Sequence, residues 1–340
     1  MTITPVSLAD IAKTPALFLP LFQSQSIASA DFFHAIPPSV QRALLAFEKK
    51  YFKGEEGEIK SVWFADALPE RVILVGLGAK DKWHARKESL FARRLVRSAQ
   101  AEKISSFSAP LLPDFSSRTF AINALMGQFD YTKYKTPPKE GWPEVKEIVL
   151  GVASDKKATT QKEIAEGLII GTEVNATREL ANTPGSDMTP ALLAAAAVKI
   201  GKTVAGVKTK ILDEAAIRRL GMGGVLGVAR GSQEKPRFII MEYFGGSKKP
   251  RSSTGSLRGM QKPLVLVGKG VTFDTGGINL KPEQYMYEMH MDMSGGAAVM
   301  HGISAIARLK LPINVVGLVP AVENMPSGSS YRPGDQLKSL

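Results

Sequence analysis

The chain has 340 residues, 44% of them hydrophobic and 22% charged, which is typical of a soluble globular protein long enough for two domains. It has no cysteine, which excludes disulfides, thiolate catalysis and cysteine-based zinc sites and suits a reducing cytosol. No apolar run reaches the roughly 20 residues that cross a bilayer, and we find no signal-peptide pattern, so we expect no membrane association.

The first part of the chain alternates apolar runs with amphipathic stretches. RVILVGLGAK (71–80) predicts a buried strand, 87–103 has apolar residues at helical spacing, and 144–154 predicts another strand. This alternation indicates an α/β fold. Gly76 and Gly78 supply part of a dinucleotide-binding fingerprint without its third glycine, so we interpret them as a tight turn.

A polar stretch, SDKKATTQKE at 154–163, predicts a linker between two domains, which we place at 1–155 and 156–340. The pattern over 162–180 then predicts a long helix. Thr189-Pro190 predicts the N-cap and first residue of the next helix, because threonine accepts from backbone N–H groups and proline is tolerated in a first turn.

Three apolar runs in the second half predict buried strands: RFIIMEYF, PLVLVGKG and INVVGLVPAVEN. The first two flank the segment GGSKKPRSSTGSLRGMQKP and predict a hairpin with that segment at its tip. The formal net charge is +12, a balance typical of proteins that contact nucleic acid. Much of it lies in and around this segment, at Lys235, Arg237, Lys248, Lys249, Arg251, Arg258 and Lys262. Its Gly and Ser content favours a solvated loop over a groove-reading helix.

The segment 264–300 places carboxylates and lysines among glycines. An apolar strand leads to Lys269, Asp274 follows five residues later, and Lys281 and Asp292 come next. Turns, caps and salt bridges would also explain these residues. The glycines favour a site, because they let the backbone approach closely, and oxygen-rich ligand sets suit divalent cations. Two metals ~3.5–4 Å apart can hold both nucleophile and substrate. We interpret the nearby histidines, His290 and His301, as core or surface residues.

Three blocks then resemble the signature of the leucyl (cytosol) aminopeptidase family: VGKGVTFDTGGINLKP, MDMSGGAAV and NMPSGSSYRPGD, in that order. The resemblance covers about 160–340 well and the N-terminal part loosely. It implies an α/β protein with an N-terminal mixed α/β (macro-like) domain and a C-terminal α/β aminopeptidase domain built on a central mixed sheet. It further implies a cytoplasmic homohexamer that acts on peptide substrates.

By this resemblance, Lys269 corresponds to the family's lysine metal ligand, Asp274 to the carboxylate that bridges both metals, and Asp292 to a further ligand. Lys281 corresponds to the catalytic lysine that polarises the scissile carbonyl, and Met289 falls where the family lines its pocket for the first side chain. The implied function is release of N-terminal residues, with a leucine-type preference, by water activated by two divalent cations, Mn²⁺ or Zn²⁺. No other cofactor is implied.

The family's pattern continues with an Asn-Thr-Asp-Ala-Glu-Gly-Arg motif, which this sequence does not contain. Because that motif supplies two further carboxylate ligands and an arginine, we expect a truncated catalytic domain with little or no activity and exposed apolar strand edges. The alternative is a non-catalytic DNA-binding or interaction protein that retains the fold.

Overall fold

The computed structural model describes residues 1–65, 67–246 and 262–338. The chain forms two compact units, Met1–Thr172 and Glu173–Leu340, and each is described by itself. The division falls inside a helix, so the domain boundary expected at 155/156 stays a prediction. No helix in the described parts of the chain is long and apolar enough to span a bilayer.

In its described residues, the first unit is built on a six-stranded sheet with the strand order β1-β6-β5-β2-β4-β3. Among these strands only the edge strand β3 is antiparallel to its neighbour. The elements confirm the strand, helix and second strand predicted for this part. Its strands are β1 Thr2–Ser7, β2 Ala16–Leu21, β3 Ile59–Trp63, β4 Arg71–Gly76, β5 Ser106–Pro110 and β6 Glu147–Val152. Its helices are α1 Pro38–Tyr51, α2 Ala85–Ala101 and α3 Ser117–Gln128, followed by α4 Lys157–Ala181, which continues into the second unit.

Helices cover both faces of this sheet, which explains why β2 and β4 are buried along their whole length. Phe18 and Ile73 face the core that contains α2 and α3, whereas their neighbours Leu17 and Leu74 face the core that contains α1. The turn after β4 packs tightly, since a Cβ on Gly76 would lie 2.0 Å from the Glu55 carbonyl oxygen. Gly76 and Gly78, the two glycines of the partial dinucleotide-binding fingerprint, therefore have a packing role.

The linker predicted at 154–163 was wrong. A 3₁₀ turn at Ser154–Lys156 leads directly into α4, which starts at Lys157. The polar residues of this stretch lie on the exposed side of the helix, while Thr160 and Ile164 are buried. The stretch is thus polar because this side of the helix faces solvent. The number of polar residues alone does not distinguish an exposed helix face from a loop.

The second unit has a five-stranded mixed sheet with the order β10-β11-β8-β7, and β9 pairs with β11 beside β10. Strands β9 and β10 are parallel to β11, whereas β8 is antiparallel to both β11 and β7. The strands are β7 Val207–Leu212, β8 Arg237–Phe244, β9 Leu264–Val267, β10 Gly270–Asp274 and β11 Asn314–Asn324. The helices are α5 Pro190–Thr203, α6 Glu214–Arg219, α7 Gly223–Ala229, α8 Glu283–Met286 and α9 Ser294–Arg308.

The three strands predicted for this half are present, but β9 is largely exposed where a buried strand was predicted. The predicted hairpin of the first two strands was also wrong. β11 lies between β8 and β9, pairing antiparallel with the first and parallel with the second. β11 comes later in the sequence than β8 and β9, yet it lies between them in the sheet. The hydrophobic pattern of each strand does not show which strand it pairs with. The basic segment that was predicted to form a solvated loop, with Lys248, Lys249, Arg251 and Arg258, lies outside the described residues.

Helices α5 and α9 pack against the sheet of the second unit. Alternate residues of β8 point into this core, and on α9 the buried residues recur at helical spacing, as Ala297, Met300, Ile303 and Ala307. As predicted, Thr189 caps α5 by accepting from the N–H of Leu192, and Pro190 is the first helical residue. The packing of α9 matters for function because its N-terminus meets the break between β9 and β10.

Candidate metal centre

Lys269 lies in a short break between β9 and β10. Both strands pair with β11 in one register, which places Lys269 opposite Pro320. Proline has no N–H to donate, so the ladder is interrupted there. The sequence therefore produces one edge strand in two parts, with the lysine at the interruption.

Two glycines let the N-terminus of α9 approach this break. A Cβ on Gly268 would lie 2.4 Å from the carbonyl oxygen of Gly295, and a Cβ on Gly296 would lie 2.6 Å from Val319 Cγ1. The N–H of Gly296 donates to the carbonyl oxygen of Lys269 at 2.7 Å. The glycine-rich start of α9 is thus explained by close backbone contact with the site strand.

Asp274, the last residue of β10, is held by donors from three directions. Its Oδ1 accepts from the backbone N–H of Gly276 at 3.0 Å and from Asn324 Nδ2 at 2.7 Å. Its Oδ2 accepts from Lys281 Nζ at 2.8 Å. Gly276 has a φ of +87°, so the turn that supplies its N–H favours glycine.

The pKa of Asp274 is set by two opposing effects. Burial raises it, but the hydrogen bonds from Lys281, from the Gly276 backbone and from Asn324 outweigh burial, and the pKa is lowered overall. The carboxylate is therefore kept in the ionised form that a cation requires.

Lys281 lies between the Asp274 carboxylate and a thioether. Its Nζ is 2.9 Å from Met289 Sδ, and its backbone N–H donates to the carbonyl oxygen of Thr275 at 2.9 Å. Met289 begins a 3₁₀ turn, Met289–Met291, that immediately precedes Asp292. The chain thus returns to the site after the loop that carries Lys281.

Lys269 connects the two carboxylates. Its Nζ is 2.5 Å from Asp292 Oδ2 and 3.8 Å from Asp274 Oδ2. The lysine side chain is 55% exposed, whereas the carboxyl side chains of Asp274 and Asp292 are 14% and 18% exposed. The structure therefore brings all five residues singled out in the sequence into one cluster, with the carboxylates inside and an amine at its open side.

The donor set of this cluster suits a divalent cation. Asp292 Oδ2 is buried and accepts no hydrogen bond from the described residues, and the charge beside it is the Lys269 amine at 2.5 Å. A buried carboxylate oxygen without a donor is costly unless a charge satisfies it. Within the described ranges, no group of three or more His, Cys, Asp or Glu side chains could hold a metal. The groups that could bind a cation here are the carboxylates of Asp274 and Asp292 and the amine of Lys269.

Asn324 begins the block NMPSGSSYRPGD, and the sequence alone does not assign it to the site. It ends β11, where it pairs with Asp274 across the parallel ladder. A polar residue that ends a long apolar strand, beside the strand that carries the site, is the signal that indicates such a role.

The chain matches two models of one family. The model described as the cytosol aminopeptidase family, catalytic domain, matches residues 175–340, and the model of that family's N-terminal domain matches residues 20–138. The two matched ranges lie in different compact units.

Individual relatives agree with these models. The chain is 36% identical to a probable cytosol aminopeptidase of Bordetella petrii, covering 96% of this chain and 66% of the relative. It is also 36% identical to a probable cytosol aminopeptidase of Bordetella parapertussis, covering 100% and 68%. A solved structure, "Bottromycin maturation enzyme BotP in complex with Mn", superposes with a TM-score of 0.76 at 26% identity, covering 96% of this chain and 63% of that one. The chain spans about two thirds of the length of its relatives.

Proposed function

Because this chain belongs to the cytosol aminopeptidase family, we propose that it carries the metal-dependent removal of N-terminal residues from peptides, with Lys269, Asp274 and Asp292 as metal ligands. The observation that supports this most directly is the convergence of the Lys269 amine with two shielded carboxylates, one of which has an oxygen without a hydrogen-bond donor. When bound, divalent cations would supply Lewis-acid chemistry, by activating water and by binding the free amine of the peptide.

Lys281 is the catalytic residue of this proposal. Its ammonium group, held by Asp274 Oδ2, is positioned to donate to the scissile carbonyl and to stabilise the negative charge that develops there. The same Nζ also contacts Met289 Sδ. Met289 would also contribute an apolar, adaptable wall to the pocket for the first side chain, which is consistent with a leucine-type preference.

We infer that two Mn²⁺ or Zn²⁺ ions serve the complete site, since the solved neighbour is a complex with Mn. Two carboxylates and one amine are fewer ligands than the four that Zn²⁺ takes or the six or so that hard divalent cations take. We therefore propose that these three ligands alone hold a cation weakly and that turnover by the 340-residue chain alone is low. A cytoplasmic homohexamer is the assembly that the family resemblance implies.

The test is metal binding by the 340-residue chain and two variants. Mn²⁺ binding is measured by electron paramagnetic resonance, and hydrolysis of a leucine anilide is followed in the same samples. We expect wild type to bind Mn²⁺, Asp274→Ala to lose that binding, and Lys281→Met to keep it, because the Lys281 amine contacts a ligand without being one.

Two results would overturn the assignment. Binding of Mn²⁺ by Asp274→Ala with unchanged affinity would remove Asp274 from the ligands. Equal hydrolysis by Lys281→Met and wild type, measured above background, would remove Lys281 from the catalytic role.

A further inference from the structure

A buried carboxylate in α4 joins this helix to α9. The Glu173 side chain is 7% exposed, and its oxygens contact side chains of α9. Oε2 is 2.7 Å from His301 Nδ1 and Oε1 is 2.8 Å from Arg308 Nε. Ser304 lies beside the same carboxylate, and its Oγ accepts from Arg308 Nε at 3.4 Å. Glu173 is not part of the metal centre described above.

The three partners lie on one face of α9. Residues three and four apart are neighbours on a helix surface, so His301, Ser304 and Arg308 form a row along the axis. This row borders the apolar face of α9, which packs into the core through Ala297, Met300 and Ile303, and Ser304 is itself buried. Apolar contacts are non-directional, whereas charge-assisted hydrogen bonds fix both distance and angle. Glu173 therefore adds directional contacts to the apolar packing that holds α9.

The other end of α9 forms part of the metal centre. Asp292 immediately precedes the helix, and Ser294 Oγ donates to the carbonyl oxygen of Met291 at 2.5 Å. The N–H of Gly296 donates to Lys269, as described above. Because a helix rises 1.5 Å per residue, the first turn lies only about 10 Å from His301 along a rigid element. A small shift of α9 thus moves Asp292 relative to Lys269.

We propose that Glu173 is a positioning residue of the metal centre, which acts through α9 to hold Asp292 and the first helical turn against Lys269. The inference rests on the proposed function in assigning Asp292 to a cation, but the coupling between Glu173 and the first turn of α9 is a property of the fold itself.

A merely structural role is the competing explanation, and hydrogen exchange separates the two. Gly296 lies in the first turn of α9, where backbone N–H groups have no partner within the helix, so its protection depends on the bond to Lys269. The variants are Glu173→Gln and Glu173→Ala in the full chain. The control is Ile303→Val, or Ile303→Ala if needed to match their loss of stability, because Ile303 is fully buried on the apolar face of α9.

We expect about tenfold faster exchange of the Gly296 amide in Glu173→Ala, a smaller increase in Glu173→Gln, and no selective increase in the control, since a tenfold change corresponds to a 1.4 kcal/mol loss of local protection. In parallel, Mn²⁺ affinity falls about tenfold in Glu173→Ala and is unchanged in the control.

Equal exchange at Gly296 in Glu173→Ala and wild type would overturn the proposal, as would the same increase in the stability-matched control. The exchange measurement requires no metal. If wild type fails to bind Mn²⁺, the proposed function fails, while exchange at Gly296 still decides whether Glu173 positions the first turn.

Discussion

At the scale of single residues, Asn324 provides a specific test of the metal centre. Its amide holds one oxygen of Asp274 at 2.7 Å and leaves the other oxygen to Lys281. Groups that orient a ligand typically change metal affinity 10–100-fold when removed. We expect Asn324→Ala to weaken Mn²⁺ binding about tenfold, measured by titration.

Asn314 offers a matched control for this substitution. It begins the strand that Asn324 ends, it is also buried, and its Oδ1 accepts from the N–H of Gly246. Asn314→Ala therefore removes the same amide from the other end of β11. Equal loss of Mn²⁺ affinity in both variants would show that the effect comes from the strand and not from Asp274.

The site residues could be named from the sequence because the family resemblance carries short motifs whose spacing is retained. The structure adds contacts that depend on chain segments far apart in sequence. Asn324 lies 50 residues after Asp274, and only the parallel pairing of β10 with β11 brings them together. The bond between Glu173 and His301 spans 128 residues. Periodicity describes one element at a time, so neither contact could be predicted from it.

At the scale of elements, the approach of α9 to β9 predicts opposite effects for two glycine substitutions. Gly268→Ala would place a Cβ 2.4 Å from a backbone oxygen, and neither backbone can yield cheaply. We expect the free energy of unfolding to fall by about 1–3 kcal/mol, as for other overpacked sites. Urea unfolding followed by circular dichroism measures this change.

Gly302→Ala is the control within the same part of the fold. Gly302 lies inside α9, and a Cβ there would meet nothing within 4 Å. Alanine favours a helix by up to about 1 kcal/mol over glycine, so this variant should be slightly more stable than wild type. Destabilisation by both substitutions to a similar extent would argue against the close approach.

The contacts of Glu173 with His301 and Arg308 predict a pH dependence of stability. Burial raises the pKa of Glu173, but hydrogen bonds from His301 and Ser304 and the charges of His301 and Arg308 lower it overall, below the ordinary value of 4.5. A lowered pKa contributes stability above the unfolded-state pKa and loses it as the pH falls through the folded-state pKa. We expect wild type to exceed Glu173→Gln in stability at pH 7, with the difference shrinking below about pH 4.5.

Unfolding midpoints in urea between pH 7 and pH 3 measure this difference. A stability difference between wild type and Glu173→Gln that stays constant across the range would show that the Glu173 carboxylate does not account for the acid sensitivity.

Most elements were predictable because apolar periodicity reports burial directly. The buried strand β4 is an example, whereas the Thr189-Pro190 start of α5 was predictable from capping chemistry. The linker, the hairpin and the burial of β9 were predicted wrongly for one reason, since all three depend on what an element packs against. The stretch 154–163 is polar because α4 exposes one side there, and β8 does not pair with β9 because β11 separates them.

At the scale of the whole molecule, the apolar strand β9 forms an exposed edge. Among the described residues, Leu264, Val265 and Val267 are 55%, 50% and 71% exposed, on a strand that pairs on one side only. Exposed apolar edge strands promote association between chains. We expect Val267→Lys to reduce concentration-dependent association of the purified chain, measured by sedimentation velocity.

Leu192→Lys is the matched control, because Leu192 is 49% exposed but lies on a helix, where the backbone offers no unpaired edge. An equal reduction in both variants would show that added charge alone, and not the strand edge, limits association.

The close contact between α9 and the site strand also limits how this molecule can change over generations. At Gly268 and Gly296, any replacement adds at least one carbon where a backbone or core atom already lies. Almost no substitution at Gly268 or Gly296 is therefore neutral. Gly302, a short distance along the same helix, tolerates many other residues. A saturation mutagenesis library selected for folded protein should retain almost only glycine at the first two positions and a broad mixture at the third.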